Sequence, residues 1–311
     1  MVRFDDQGSP ERGEIDAIVE LAARIGAARD GEVWIGDDMA VLQGPDSLLF
    51  ATDIAVEGVH FNAETGSLAD AGWKVLAANL SDVAAMGGTP TAAVVGLAGA
   101  TRSKLSALYD GILACSSEFD CPIVGGDLTG GTALVISIAV VADGGEGAPV
   151  LRSGGRPGDR VFLTRATGAS AAGLRALLTD ARASGEVVDA HRRPRPRLAE
   201  GRAAKRGGAT AMIDVSDGLG LDLDRLCRAS GVGLALDLVP VAPGATFDDA
   251  MSGGEDYELV FTAPSSEEIS VAFVAAGLIV PIEIGRLVGD VDARKIGGED
   301  FIPRGYLHHL G

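Results

Sequence analysis

The sequence predicts an α/β protein of two domains. Three observations carry this expectation. Apolar runs of strand length alternate with segments whose apolar residues recur at helical spacing, in both halves of the chain. The 311 residues, 47% of them hydrophobic, are enough for about two domains of ~100–200 residues each. A glycine-rich segment, Asp143 to Pro149, interrupts the rhythm near the middle and sets the expected boundary, with domains over 1–146 and 147–311.

In chain order, Glu14 to Ala28 carries Ile15, Ile18, Val19, Ala22 and Ile25 on one face and reads as a helix stopped near Gly31. Trp34 to Leu42 is a short strand broken by Asp37 and Asp38, and Ser47 to Asp53 a strand ending on an acid. Trp73, Leu76, Ala77, Leu80 and Ala84 form the apolar face of the next helix, which Gly87-Gly88-Thr89-Pro90 terminates. Asn79 and Asp82, three apart, are expected to point the same way. Then come a strand over Thr91 to Gly99, a helix over Lys104 to Phe119, and Ile123-Val124 running into Gly125-Gly126-Asp127. A β-branched strand, Ala133 to Ala142, closes the first half.

The second half opens with the strand Arg160 to Thr164 and a helix from Gly168 to about Ala183. His191 to Arg197 is basic and interrupted by proline, so it reads as a loop before a helix ending at Lys205. Ala211 to Ile213 is a strand ending on Asp214, and a helix follows to Ala229. Leu234 to Val239, Tyr257 to Thr262 and a final Leu278 to Ile284 read as strands, with a helix over Ser266 to Ala276.

Composition excludes several function classes. With 44 acids against 26 basic residues the formal charge is −18, a field that repels nucleic acid and anionic membranes. No apolar run reaches the ~20 residues of a membrane span. Met1 to Gly13 is charged and lacks the apolar core of a signal peptide. The three cysteines, Cys115, Cys121 and Cys227, have no metal spacing and read as thiols of a reducing compartment. A cytoplasmic protein is the expectation.

The chemistry lies with the acids. Asp38, Asp53, Asp127, Asp214 and Asp217 are expected at strand ends or in glycine-flanked turns, with Asp82 inside an apolar helix. Each alone has two readings: a turn or cap residue, or one of a set of hard oxygen ligands for Mg²⁺. The chain has no GxxxxGK[ST], no HRD…DFG set and no GxSxG, which excludes P-loop enzymes, protein kinases and nucleophile-elbow hydrolases. Phosphoryl transfer needs little beyond positioning and charge neutralisation, which carboxylate-held metal ions supply.

Seven motifs then stand together: Gly36-Asp37-Asp38-x-Ala40-Val41-Leu42, Thr52-Asp53 followed by Glu57-Gly58-Val59-His60-Phe61, Asn79-Leu80-Ser81-Asp82-Val83-Ala84-Ala85-Met86-Gly87, Gly125-Gly126-Asp127, Arg152-Ser153-Gly154, Asp214-Val215-Ser216-Asp217-Gly218-Leu219, and Gly253-Gly254-Glu255-Asp256-Tyr257-Glu258-Leu259. Their order resembles the thiamine-monophosphate kinase family, within the aminoimidazole ribonucleotide synthetase-like superfamily. The Glu57–Phe61 and Gly253–Leu259 pieces look specific to that kinase. The resemblance implies a two-domain fold whose N-terminal domains, binding ATP and Mg²⁺, pair into a β-barrel-like dimer core. It implies in-line phosphorylation of thiamine monophosphate by ATP without a phosphoenzyme, a step of thiamine diphosphate biosynthesis.

Residue by residue, the resemblance implies Mg²⁺ ligands at Asp38, Thr52, Asp53, Asp82, Asp127, Asp214 and Asp217, with Asp82 and Asp217 catalytic. Tyr109, Gly126, Asp127, Arg152 and Ser216 would contact ATP, and His60, Glu255 and Tyr306 the thiamine. The chain departs from the family pattern at Ala51, Leu128 and Arg165, and no departure removes a carboxylate. Two other readings stand beside it: a superfamily ATPase with another phosphorylated substrate, and a nucleotide-binding protein without turnover.

Overall fold

The computed structural model describes residues 23–26 and 48–306. The expected strand over Trp34 to Leu42, most of the helix over Glu14 to Ala28, and Asp38 lie outside the described residues. Among those described, the strands form two sheets.

The first sheet holds β1 (Leu48–Val56), β2 (Thr89–Ala98), β3 (Ile123–Thr129) and β4 (Val135–Asp143), in the order β1-β4-β2-β3. β4 runs antiparallel to β1 and β2, and β2 runs parallel to β3. Two strands run longer than their glycines and acids suggest. Asp53 lies within β1 and Asp127 within β3, so neither is a strand-end acid. Helices α1 (Leu68–Ala85) and α2 (Arg102–Glu118) fill the connections.

α1 begins on a capping box that the sequence reading passed over. Ser67 Oγ accepts from Asp70 N at 3.1 Å, and Asp70 Oδ2 accepts from Ser67 N at 3.0 Å. The helix is buried nearly all round, from Ala71 to Ala85 with few breaks, as befits a helix enclosed by neighbours. It packs on α2, on the sheet, and on elements of the second half. Asn79 does not share the outlook of Asp82: it is fully buried and its amide donates to Val75 O.

The second half comprises β5 (Arg160–Leu163), α3 (Ala169–Thr179), α4 (Glu186–Arg192), α5 (Leu198–Arg206), β6 (Ala211–Asp214), α6 (Leu219–Ser230), β7 (Gly233–Leu236), α7 (Phe247–Ser252), β8 (Leu259–Ala263), α8 (Ser266–Ala275), β9 (Ile282–Val288), β10 (Arg294–Ile296) and β11 (Glu299–Asp300). Its sheet runs β11-β10-β7-β9-β5-β8-β6. The expected loop from His191 is helical at its start, because α4 ends at Arg192. The strand over 278–284 is not the last, since β10 and β11 follow β9.

Asp143 still belongs to β4, and the segment 144–149 has neither helix nor strand but is tied down: Lys205 Nζ donates to Gly144 O at 2.6 Å. One apolar cluster crosses between the halves, joining Leu76 and Leu80 of α1 to Ala203 and Ala204 of α5 and to Phe261 and Phe273. A second cluster fills the other face of the larger sheet, around α6.

Candidate active site

A cleft of about 820 Å³ opens where α1 meets the second half. Ala71, Lys74, Val75, Ala78 and Asp82 face it from α1, a stripe at helical spacing. β1 adds Asp53, and the following loop adds Val59, His60 and Phe61. From the other side come Asp214 at the end of β6, Ser216 and Asp217 in the next turn, Glu255 and Tyr257, and Tyr306. Eight of the residues singled out in the sequence therefore share one cleft: Asp53, His60, Asp82, Asp214, Ser216, Asp217, Glu255 and Tyr306.

The acids of the second half are held by neighbours. Asp214 is buried and accepts from Ser81 Oγ at 2.7 Å. The Ser216–Asp217 turn is fixed by Asp222, whose Oδ2 accepts from both backbone amides at 3.1 and 3.0 Å. Arg225 Nη1 bridges Asp217 at 2.5 Å and Asp222 at 2.7 Å. The 253–257 loop is zipped onto this turn, with Glu255 N donating to Ser216 O and Tyr257 N to Val215 O. Glu255 and Tyr257 both adopt left-handed backbone, φ 64° and 52°, a conformation costing about 1–3 kcal/mol each and common at functional sites.

Within the Gly253–Leu259 motif Gly253, Gly254, Glu255 and Tyr257 line the cleft, and Asp256 and Glu258 do not. Asp256 caps α3 by accepting from Gly168 N and Ser170 N, and Glu258 pairs with Arg197 and Thr164. His60 Nδ1 accepts from Val56 N at 3.1 Å, which assigns the proton of the neutral ring to Nε2.

The electrostatics are those of acids crowded together. Burial raises the Asp53 carboxyl above its usual range, against the pull of His60. Asp82 is pushed up to about 6 by burial and then by the Asp53 charge, with Arg152 opposing. Asp214 is pushed up to about 8 by burial and then by Asp82, with Ser81 and Arg152 opposing. Arg152 thus acts on two of the acids through its charge.

Mutually repelling, half-dehydrated carboxylates with hard oxygens suit a divalent cation such as Mg²⁺. Among the described residues no three side chains of the ligating types lie close enough to hold one ion together. The residues fit divalent ions by donor chemistry and by repulsion, with Asp53, Asp82, Asp214 and Asp217 offering oxygen ligands along one cleft rather than as a single cage.

Five expected residues stand away from the cleft lining, among them Arg152, which reaches the acids only through its charge. Thr52 and Asp53 are neighbours in β1 and point to opposite faces; Thr52 Oγ1 donates to Ile138 O at 3.0 Å. Asp127 pairs in register with Gly96, Gly96 with Ser137, and Ser137 with Ile54, so Asp127 lies on the exposed face with Ile54. β3 is three strand steps from β1, about 14 Å. Gly126 has a packing reason to be glycine, because a Cβ there would meet Val95 O at 2.0 Å. Tyr109 is packed in the core, its hydroxyl pushed up to about 12 by burial, with Arg24 opposing.

Ser81, Lys74, His191, Asp222 and Arg225 were not anticipated. A lysine inside the apolar pattern of α1, eight residues before Asp82, was the available signal for Lys74.

Residues 36–144 match the family AIR synthase related protein, N-terminal domain, and residues 156–294 its C-terminal domain. The thiamine-monophosphate kinase of Escherichia coli (strain K12) is 35% identical over 301 residues, covering 90% of this chain and 92% of its own. That of Bacillus subtilis (strain 168) is 34% identical over 291 residues, covering 86% and 89%. The crystal structure of thiamine-monophosphate kinase from Stenotrophomonas maltophilia K279a superposes with a TM-score of 0.81 at 30% identity, covering 92% of this chain and 97% of that one. A structure of AaThiL complexed with AMPPCP and TMP gives 0.76 at 30% identity, covering 84% and 87%.

Proposed function

Because this chain belongs to the thiamine-monophosphate kinase family, we propose that its cleft is where ATP phosphorylates thiamine monophosphate to thiamine diphosphate. The protein is an ATP-dependent phosphotransferase whose acceptor is itself a phosphate. One observation carries the reading to this cleft: Asp53, Asp82, Asp214 and Asp217, separated by up to 164 positions in the sequence, line a single cavity.

We assign the residue roles as follows. Asp53, Asp82, Asp214 and Asp217 would hold Mg²⁺, with Asp38 a further candidate outside the described residues. Bound Mg²⁺ supplies neutralisation and alignment of the phosphates. Asp82 and Asp217 line the cleft from the two halves of the chain and would set the line of transfer. Ser216 and Arg152 serve the ATP side, Arg152 as a cation among acids. His60, Glu255 and Tyr306 serve the thiamine side, where a cationic thiazolium fits an aromatic face and a carboxylate. The acceptor phosphate is the nucleophile, so no side chain need form a covalent intermediate.

The exposed face of the first sheet carries Leu48, Phe50, Ile54 and Val94, an apolar surface suited to burial. A second copy covering it would build the barrel-like dimer core and bring Thr52 and Asp127 into the interface, and the ATP contacts the family resemblance implies for Gly126 and Tyr109 would come from the same domain, that of Tyr109 from its buried side. Sedimentation equilibrium tests this: a dimer mass is expected, and a monomer at micromolar concentration contradicts it. The three buried thiols, with no disulfide among them, support a reducing cytoplasmic location, which cell fractionation checks. No described helix is long and apolar enough to cross a membrane.

The functional test is a panel of phosphorylated acceptors offered with ATP and Mg²⁺. Thiamine monophosphate should be the preferred acceptor, giving thiamine diphosphate and ADP in equal amounts. Turnover on another phosphorylated compound alone, or ATP binding with no product, would overturn the assignment.

A further inference from the structure

Lys74 is a nearly buried cation that the reaction as described does not use. It lies on the cleft-facing stripe of α1, two turns before Asp82. A buried ammonium persists only when it is paired and hydrogen-bonded. Its Nζ donates to Glu255 Oε2 at 2.7 Å and lies 3.4 Å from His191 Nε2.

An ammonium only donates, so His191 Nε2 accepts and the ring proton is on Nδ1, 3.1 Å from Ser170 Oγ. Burial first, and the Lys74 charge second, pull His191 down to about 4, so the ring is neutral near pH 7. Glu255 is therefore the single carboxylate that Lys74 pairs with in this cluster.

The two ends of Glu255 are fixed from different domains. Its backbone is held in left-handed geometry by the hydrogen bond to Ser216 O. Its Oε2 is held by α1 of the first half, through Lys74. Among the described residues no hydrogen bond is seen to Oε1, and the side chain is 30% exposed toward the cleft.

We propose that Lys74 is a positioning residue for acceptor recognition: it pins Glu255 across the domain junction so that Oε1 receives the amino or cationic ring of the phosphate acceptor. This rests on the assignment of Glu255 to the thiamine side. Loss of the pin leaves Glu255 free to turn, which weakens acceptor binding and spares the ATP side.

The test is a double-mutant cycle with Lys74→Met and Glu255→Gln, read by steady-state kinetics and by calorimetric titration with thiamine monophosphate. Lys74→Met should raise KM and Kd for thiamine monophosphate about tenfold or more, with KM for ATP and kcat changed by less than about threefold. Lys74→Arg, which keeps a cation, should recover part of the loss. The double variant should be no worse than Glu255→Gln alone, because Lys74 acts through that carboxylate.

Additive losses, an equal rise in KM for ATP, or unchanged acceptor binding would each overturn the proposal. Should Lys74→Met melt below the assay temperature, Glu255→Gln probes the same pair from its exposed side; unchanged acceptor binding in that variant overturns the proposal equally. If the wild type neither binds nor phosphorylates thiamine monophosphate, the functional assignment itself fails. If it does both and the Lys74 variants bind normally, only the positioning role fails.

Discussion

Asp214 sits buried at the end of β6, and its carboxyl is raised from 3.8 to about 8 by burial and by the charge of Asp82. A raised carboxyl means that the folded chain keeps a proton that the unfolded chain releases. Its contribution to stability is complete below pH 3.8 and is lost progressively up to about pH 8. Asp82 behaves alike up to about pH 6. His191 has the opposite sign: its depressed value gives stability present above pH 6.5 and lost as pH falls toward about 4. Between pH 6.5 and 8 the decline therefore belongs mainly to Asp214, with a slope of at most about 1.4 kcal/mol per pH unit.

Urea unfolding of the metal-free protein should show this decline, and Mg²⁺ should add most stability at the alkaline end; a flat profile without metal contradicts the crowding of the acids. The acids themselves were legible in the sequence, because each stands out beside glycine or among apolar residues. Their supports were not. Ser81 vanishes into a helical pattern that tolerates small polar residues, and Lys74 is visible only as a lysine within the apolar pattern, with nothing in the sequence to name its partner. His191 is read as part of a basic loop until α4 is seen to bury it.

At the level of elements, α1 is the common wall of both halves. It approaches α2 so closely that a Cβ at Gly111 would meet Ala69 O at 1.7 Å. It approaches α5 equally closely, since a Cβ at Gly201 would meet Ala84 O at 2.1 Å. Backbone oxygen cannot give way at such distances, so the helices must separate. Gly201→Ala is expected to cost about 1–3 kcal/mol and to lower kcat/KM by pushing Asp82 away from Asp214. Thermal melts together with steady-state kinetics check it; a variant with wild-type stability and activity would show that the helix contact does not set the cleft. Most strands and helices follow from periodicity. What misleads is punctuation. Gly125-Gly126 looks like the end of a strand, yet β3 continues through it because the parallel pairing with β2 needs backbone closeness there. The proline-broken basic run hides α4, whose helix is set by packing of Val188 and His191 rather than by its own propensity.

For the molecule as a whole, the division into halves is topological rather than energetic. The two sheets are separate, but one apolar cluster runs from α1 into the second half, so relative motion of the halves would break a continuous core. Acids from both halves meet at that junction, in a chain of formal charge −18. An anionic nucleotide and an anionic acceptor must enter this field together, which is why the proposed function calls for divalent cations to neutralise the phosphates. The central claim is that the acids gathered at the junction carry out phosphoryl transfer, with Asp82 at their centre. Single-turnover transfer from γ-labelled ATP to thiamine monophosphate, in the wild type and in Asp82→Asn, tests it directly. Label should enter thiamine diphosphate in the wild type. Asp82→Asn should lose at least about a hundredfold in rate while the metal-free variant melts no lower than the wild type, since a repelling charge has been removed. Wild-type transfer by Asp82→Asn, or loss of its fold, would contradict the claim.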